Sequence, residues 1–251
     1  MPMPIQLFLK TVKKGDALLN KLYNLIYPRY CLHCDAPIED VCPFCLECFK
    51  NIRRITGAVC SLCHIPFVSE AATSHTPDHR CGDCRADPPL FSKAITPFYY
   101  QDPLKTAIQK FKYNKQTHLA DFFVGLIRDD LIGLEVDGVI AIPLHPNRLR
   151  SREFNQSLLL AGKIADLIAR PYSTTLIRIR ETESQVGLSR KRRVENLKEA
   201  FFVSRPNDVK GQRILLVDDV YTTGTTLKEG AKALIDAGAK EVVVMAIARM
   251  I

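Results

Sequence analysis

The sequence predicts an α/β protein: a doubly wound, mostly parallel sheet preceded by a small cysteine-rich metal-binding region. Three observations carry that expectation. All nine cysteines lie between Cys31 and Cys84, and none follows. Downstream, short continuous apolar runs alternate with stretches of helical period, which is how strands buried on both faces of a parallel sheet read. Near the C-terminus one such run ends in two aspartates and a Thr/Gly turn that opens a helix.

Composition agrees with a globular chain. The 251 residues are 47% hydrophobic and 25% charged, average values that exclude a mostly disordered protein. No apolar run reaches the roughly 18–20 residues of a bilayer crossing. Lys10, Lys13, Lys14, Asp16 and Lys21 interrupt the apolar residues of the N-terminus, so neither a signal peptide nor a membrane span is expected. Nine thiols without an export signal imply the reducing cytoplasm, where CxxC pairs hold metal more often than they form disulfides. Residues 1–90 carry 10 Lys+Arg against 9 Asp+Glu and residues 91–251 carry 25 against 18, so the C-terminal part holds the basic excess, +7 of the net charge of +8. An anionic partner is expected to prefer that part.

Taken in order, residues 1–28 predict an amphipathic basic helix, with Phe8, Val12, Leu19, Leu22 and Ile26 at helical spacing. It either docks on its own domain or lies on a membrane surface. Residues 29–90 form the metal region, which Asp87-Pro88-Pro89 closes. Residues 91–251 form the sheet domain. A strand over 94–100 precedes a helix over 102–112 with Pro103 in its first turn, and a second helix covers 118–131. Apolar runs follow at 139–143, 173–179 and 214–217, then a helix over 225–237 ended by Gly238, and a buried strand over 241–248.

Four CxxC units are read in the metal region: Cys31/Cys34, Cys42/Cys45, Cys60/Cys63 and Cys81/Cys84. Two such turns close a tetrahedral Cys₄ shell, so eight thiolates predict two structural Zn²⁺ ions with no position open for substrate water. Cys48 leaves a choice, because Cys45/Cys48 is an overlapping pair. The proline after Cys42 suits a knuckle turn, which favours Cys42/Cys45 and makes Cys48 the extra residue. Pairs combine in sequence order, with interleaving as the alternative. His64, His75 and His79 are expected to be non-ligands.

The run 214–217, Asp218, Asp219 and the turn Thr222-Thr223-Gly224-Thr225-Thr226 is a buried strand with two carboxylates at its end and a helix start behind a hydroxyl-rich loop. Carboxylates accept hydrogen bonds from ribose hydroxyls, and backbone N–H groups at a helix start wrap a phosphate. Gly224 lets the backbone approach closely. The stretch resembles the recognition motif of type I phosphoribosyltransferases. The resemblance implies that phosphoribosyl pyrophosphate binds there, with its ribose on Asp218 and Asp219, its 5′-phosphate on residues 222–226, and Mg²⁺ carried mainly by the pyrophosphate.

Other stretches narrow the resemblance. They are the segment from Ile140 to Arg150, Glu153-Phe154-Asn155-Gln156-Ser157, Phe111-Lys112-Tyr113, and Arg180 with Thr182, Gln185, Leu188, Arg192, Asn196 and Phe201. With the cysteine pairs they resemble the ComF family, associated with competence and the handling of incoming DNA in bacteria. The likeness spans the chain from Cys31 to Arg249. It implies a type I phosphoribosyltransferase fold and places Pro143, Leu144, His145 and Arg148 on the pyrophosphate side. Residues 178–193 would form a hood over the site. Arg190, Lys191, Arg192 and Arg193 serve either single-stranded DNA or a solvated helix face. Three functions follow: a phosphoribosyl pyrophosphate-binding protein of DNA uptake or processing, a phosphoribosyltransferase of unknown acceptor, and a non-catalytic adaptor for a DNA-translocating ATPase.

Overall fold

A computed structural model describes residues 28–39, 41–67, 79–145, 149, 154–180 and 200–251. The expected N-terminal helix, His75, Arg148 and the run 190–193 lie outside the described residues. The centre of the molecule is a six-stranded sheet built from β3 (Lys93–Ile95), β4 (Phe98–Tyr99), β5 (Gly138–Ala141), β6 (Tyr172–Ser173), β9 (Arg213–Tyr221) and β10 (Glu241–Arg249). The order is β3-β10-β9-β5-β6, β4 extends the β3 edge along β10, and every pairing is parallel. Strands β7 (Leu176–Arg178) and β8 (Phe201–Val203) pair antiparallel as a separate ribbon.

Alternate residues of the central strands enter two different cores. Val139, Ala141, Leu215, Val217, Val243 and Met245 face one core, filled by α3 (Leu104–Tyr113), α4 (Leu119–Leu126), α5 (Arg128–Leu131) and α6 (Gln156–Ile168). Ile140, Ile142, Ile214, Leu216, Val242 and Val244 face the other, covered by α7 (Thr225–Asp236) and the β7–β8 ribbon. The doubly wound parallel sheet is therefore as the apolar runs predict. The metal region divides between the cores. Its first half, with β1 (Arg29–Tyr30), β2 (Pro37–Ile38) and α1 (Leu46–Lys50), packs Phe44 on Phe122 in the first core at a centroid distance of 5.6 Å. Its second half, with α2 (Gly82–Ala86), buries Cys60, Cys63 and Cys84 in the second.

Several predicted elements are subdivided. The expected strand over 94–100 is broken at Thr96-Pro97, where Pro97 has no N–H for the ladder and its carbonyl accepts from Ile55 N at 2.7 Å. The helix over 118–131 breaks at Ile127 into α4 and α5. The run 173–179 is two strands of different sheets, because Thr175 turns the chain: its hydroxyl accepts from Arg205 N at 2.9 Å and its carbonyl from Ser204 N at 2.8 Å. The run 214–217 is the middle of a longer strand, β9, which includes both aspartates.

Chain crossovers set the position of the site. From β5 the chain passes through α6 to β6 on one side, whereas from β9 it passes through α7 to β10 on the other. The switch point lies between β5 and β9, and open α/β sheets bind ligands outside the carboxyl ends of strands at such points. Helix α7 approaches the sheet there through Gly230, where a Cβ would come within 2.8 Å of Ile142 Cδ1 and 3.1 Å of Leu216 Cδ2. Gly230→Val should therefore overpack this contact and destabilise the fold by about 1–3 kcal/mol, measured by urea unfolding. An unchanged midpoint would mean that α7 does not sit this close.

Candidate functional site

The cysteines converge on two tetrads, Cys31/Cys34/Cys45/Cys48 and Cys60/Cys63/Cys81/Cys84, with all ligand atoms of each within 4.8 Å of one another. Cys34 and Cys45 Sγ are 3.7 Å apart, as are Cys63 and Cys81. Four sulfurs about 2.3 Å from a zinc ion stand about 3.8 Å apart, so the donor sets fit tetrahedral Zn²⁺. The two halves share one local design. In each, the second cysteine of the first pair precedes a left-handed residue, Asp35 (φ 57°) or His64 (φ 63°). In each, the second pair starts at a helix N-cap, Cys45 or Cys81, and ends one turn inside the helix, at Cys48 or Cys84.

This geometry corrects the expected choice of Cys42. The Cys42 side chain is buried in the first core beside Phe44, while Cys48, three residues into the turn that Cys45 caps, joins the tetrad. The signal was in the sequence: Cys45-Leu46-Glu47-Cys48 matches Cys81-Gly82-Asp83-Cys84 as a pair at a helix start. The tetrads use the pairs in sequence order. His64 hydrogen-bonds Thr96 O at 3.2 Å, and burial pushes its imidazole below the usual histidine range. His79 packs edge-on against Phe67 at 5.0 Å.

At the switch point, β5 pairs with β9 only as far as Val217, so β9 extends four residues beyond its neighbour. Regular alternation is interrupted in that extension: Val217 and Val220 both join the first core, and Tyr221 joins the second. Asp218 Oδ1 accepts from Ser157 Oγ and from Asp219 N, each at 2.9 Å. Burial, aided by the neighbouring Asp219 charge, raises the Asp218 carboxyl to about 7. Asp219 is ion-paired to Lys112 Nζ at 2.8 Å. Burial alone would lower the Lys112 ammonium, but the charge and hydrogen bond of Asp219 outweigh it and hold the ammonium above the ordinary lysine range.

The turn after β9 brings the expected hydroxyls together. Thr223 and Thr225 hydroxyls are 2.9 Å apart at the start of α7, flanked by Thr222 and Thr226. Gly224 has φ +75°, and an added Cβ would lie 2.2 Å from the Tyr221 hydroxyl oxygen. Pro143, Leu144 and His145 follow β5, half-buried. The start of that segment is fixed by Asn155, whose amide donates to Ile142 O at 3.0 Å and whose side-chain oxygen caps α6 at Ser157 N. Lys112, Ser157 and Asn155 have no role assigned from the sequence. Their only signal is their place within the stretches 111–113 and 153–157.

Comparisons with known proteins agree with this architecture. Residues 22–85 match the double zinc ribbon domain family, and residues 155–250 match the phosphoribosyl transferase domain family. Among solved structures, an allosteric regulatory enzyme of purine biosynthesis is 23% identical with a TM-score of 0.40, covering 56% of this chain and 30% of that one. A Trypanosoma brucei adenine phosphoribosyl transferase is 15% identical with a TM-score of 0.39, covering 61% and 70%. The two family matches make the class a double zinc ribbon joined to a phosphoribosyltransferase-type α/β domain, and structural zinc is supported by both the ribbon match and the tetrads.

The chain belongs to the ComF family of competence and DNA-utilisation proteins. It is 32% identical to the DNA utilization protein YhgH of Escherichia coli over 90% of this chain and 99% of that one. Identity is 31% to Competence protein F of Haemophilus influenzae, over 82% and 96%, and 29% to Competence protein ComFC of Bacillus subtilis, over 85% and 91%. Among the described residues, no helix is long and apolar enough to cross a membrane.

The tetrads predict metal content directly. Cys48→Ser should lower bound zinc from two equivalents per chain to one, and Cys42→Ser should retain both, measured by metal analysis of protein purified without chelator. The opposite result would restore Cys42 as the ligand. Lys112→Met should leave Asp219 buried without its cation and destabilise the fold by about 3–5 kcal/mol. A denaturation midpoint equal to the parent would show that the pair carries no stability.

Proposed function

We propose that this protein binds phosphoribosyl pyrophosphate with Mg²⁺ at the turn after β9 and acts in the cytoplasm in DNA uptake or processing. The observation that carries the reading is the juxtaposition, at the switch point, of two carboxylates with a glycine turn that opens α7. Ribose hydroxyls would donate to Asp218 and Asp219. The 5′-phosphate would take the backbone N–H groups and hydroxyls of residues 222–226 at the positive end of α7. The pyrophosphate would lie toward Pro143, Leu144, His145 and Arg148, with Mg²⁺ bound mainly through its oxygens. In this reading Ser157 and Lys112 act on the carboxylates, each fixing the rotamer of one.

The role in DNA handling is supported by the names of the relatives, a DNA utilization protein and two competence proteins. Single-stranded DNA is the partner expected for the basic C-terminal part, with Arg190, Lys191, Arg192 and Arg193 as phosphate contacts. Such binding would weaken steeply with salt, and replacing the four by alanine would flatten the salt slope.

Calorimetry with Mg²⁺ and phosphoribosyl pyrophosphate tests the site. Replacing both aspartates by asparagine keeps the side-chain volume while leaving Lys112 without its carboxylate, and in folded protein it should weaken binding by about 2 kcal/mol, the scale of charge-assisted hydrogen bonds. A double variant that binds as tightly as the parent would remove the ribose site from this turn. The pH dependence has a definite sign. Ribose hydroxyls need an ionised acceptor, so parent affinity should rise as pH increases through about 7, where Asp218 ionises. Stability should move the other way. The folded-state value of Asp218 lies above its unfolded one, so its stabilising protonation is complete below about 4 and is lost as pH rises toward 7. Asp218→Asn should abolish that part of the stability profile, and a variant profile parallel to the parent's would contradict the assignment.

A further inference from the structure

The last residue of β10 has contacts that the ligand reading does not use. Arg249 pairs in register with Tyr221, the last residue of β9. It is 6% exposed, with its guanidinium carbon 4.4 Å from the centroid of the Tyr221 ring. The guanidinium Nη1 donates to the carbonyl of Cys63, and Nη2 lies 3.9 Å from Cys63 Sγ. Among the described residues it forms no ion pair with a carboxylate, and Nε has no hydrogen-bond partner. A buried guanidinium without a counter-charge is costly. Four thiolates around Zn²⁺ carry a net charge of −2, so the loaded second tetrad provides the missing anion beside it.

The Tyr221 ring also meets the turn. A Cβ at Gly224 would overlap the Tyr221 hydroxyl at 2.2 Å and its Cζ at 2.4 Å, so the glycine backbone rests directly on this ring. Cys63, Arg249, Tyr221 and Gly224 thus form one packed line from the second metal site to the loop.

We propose that Arg249 is a positioning residue through which the second zinc site holds the loop at residues 222–226 in its binding conformation. The inference rests on the reading of that loop as a phosphoribosyl pyrophosphate site. Loss of zinc from Cys60, Cys63, Cys81 and Cys84 leaves Arg249 without its anion and frees the Cys63 carbonyl that orients it. The Tyr221 ring then loses its partner, and the loop its floor. Coupling is reciprocal: a ligand that needs the ordered loop must tighten zinc at the second tetrad by the factor by which zinc tightens the ligand.

The test uses the zinc-loaded full chain. Zinc retention against graded chelator is read tetrad by tetrad, by alkylation and mass spectrometry of the freed cysteines, with and without Mg²⁺ and phosphoribosyl pyrophosphate, whose binding is measured by calorimetry. For the parent, ligand should raise zinc retention at Cys60, Cys63, Cys81 and Cys84 about 5-fold or more, the lower range of allosteric couplings. Arg249→Met should abolish that protection and weaken ligand binding, and Arg249→Lys, which keeps the charge and one donor, should restore part of both. Tyr221→Leu breaks the line without touching the Cys63 contact and should retain zinc while losing the protection, which keeps the test valid if Arg249→Met does not fold. A parent that binds ligand with no protection, or a Tyr221→Leu variant that keeps it, overturns this inference alone. A parent that does not bind the ligand at all overturns the site reading and this inference with it.

Discussion

A strand buried on both faces offers no water to solvate consecutive carboxylates, yet β9 ends in Asp218 and Asp219, half-buried and buried respectively. Desolvation of such a pair amounts to several kcal/mol unless charge and hydrogen bonds offset it. The surroundings meet that requirement piece by piece. Lys112 brings a cation to Asp219, and Ser157 and the Asp219 amide bring donors to Asp218. Each donor depends on an element of its own: α3 must present Lys112, and the Asn155 cap must start α6 so that Ser157 points to the strand end. The first ribbon fixes α3 in turn, since Lys110 Nζ donates to Leu32 O at 2.8 Å.

The two ribbons are therefore more than appendages on a nucleotide-type fold. Each covers one face of the sheet and reaches one half of the site. The first meets the α3 face, where the carboxylates find their cation, and the second meets the α7 face, where Tyr221 and Arg249 underlie the turn. Lys228 Nζ on α7 adds a 2.7 Å ion pair to Asp87 at the end of α2, tying the helix that opens at the turn to the second ribbon. A closed Cys₄ centre contributes rigidity without chemistry of its own, and here that rigidity is applied beside the segments that must stay ordered while carrying buried charge.

Legibility in the sequence follows the range of the interaction involved. The parallel sheet was readable because Ile214, Leu215, Leu216 and Val217 and the run 242–248 are apolar at every position, which only a doubly covered strand needs. The placement of Asp218, Asp219 and the Gly224 turn at one strand end was readable because they lie in one contiguous stretch. What failed depends on partners distant in sequence. Lys112 meets Asp219 from over a hundred residues away, and nothing local marks it off from Lys110 one turn face away. Thr175 splits the run 173–179 because of Ser204 and Arg205, residues that no periodicity links to it. The choice between Cys42 and Cys48 rested on the local fit of a proline, whereas the helix that starts at Leu46 decides it.

Charge gives these pieces a common direction. Residues 1–90 are nearly neutral by side-chain count, and eight zinc-bound thiolates make them acidic even after two Zn²⁺ ions are added. The basic excess stays on residues 91–251, so an anion approaching the molecule is repelled from the ribbons and drawn toward the sheet domain. At the sheet edge the local sign reverses again, because Asp218 and Asp219 outnumber Lys112. A bare phosphate has little to gain there. An anion that also presents hydroxyl donors and brings its own divalent cation would satisfy both signs at once, a combination that the proposed phosphoribosyl pyrophosphate ligand offers and a bare phosphate does not.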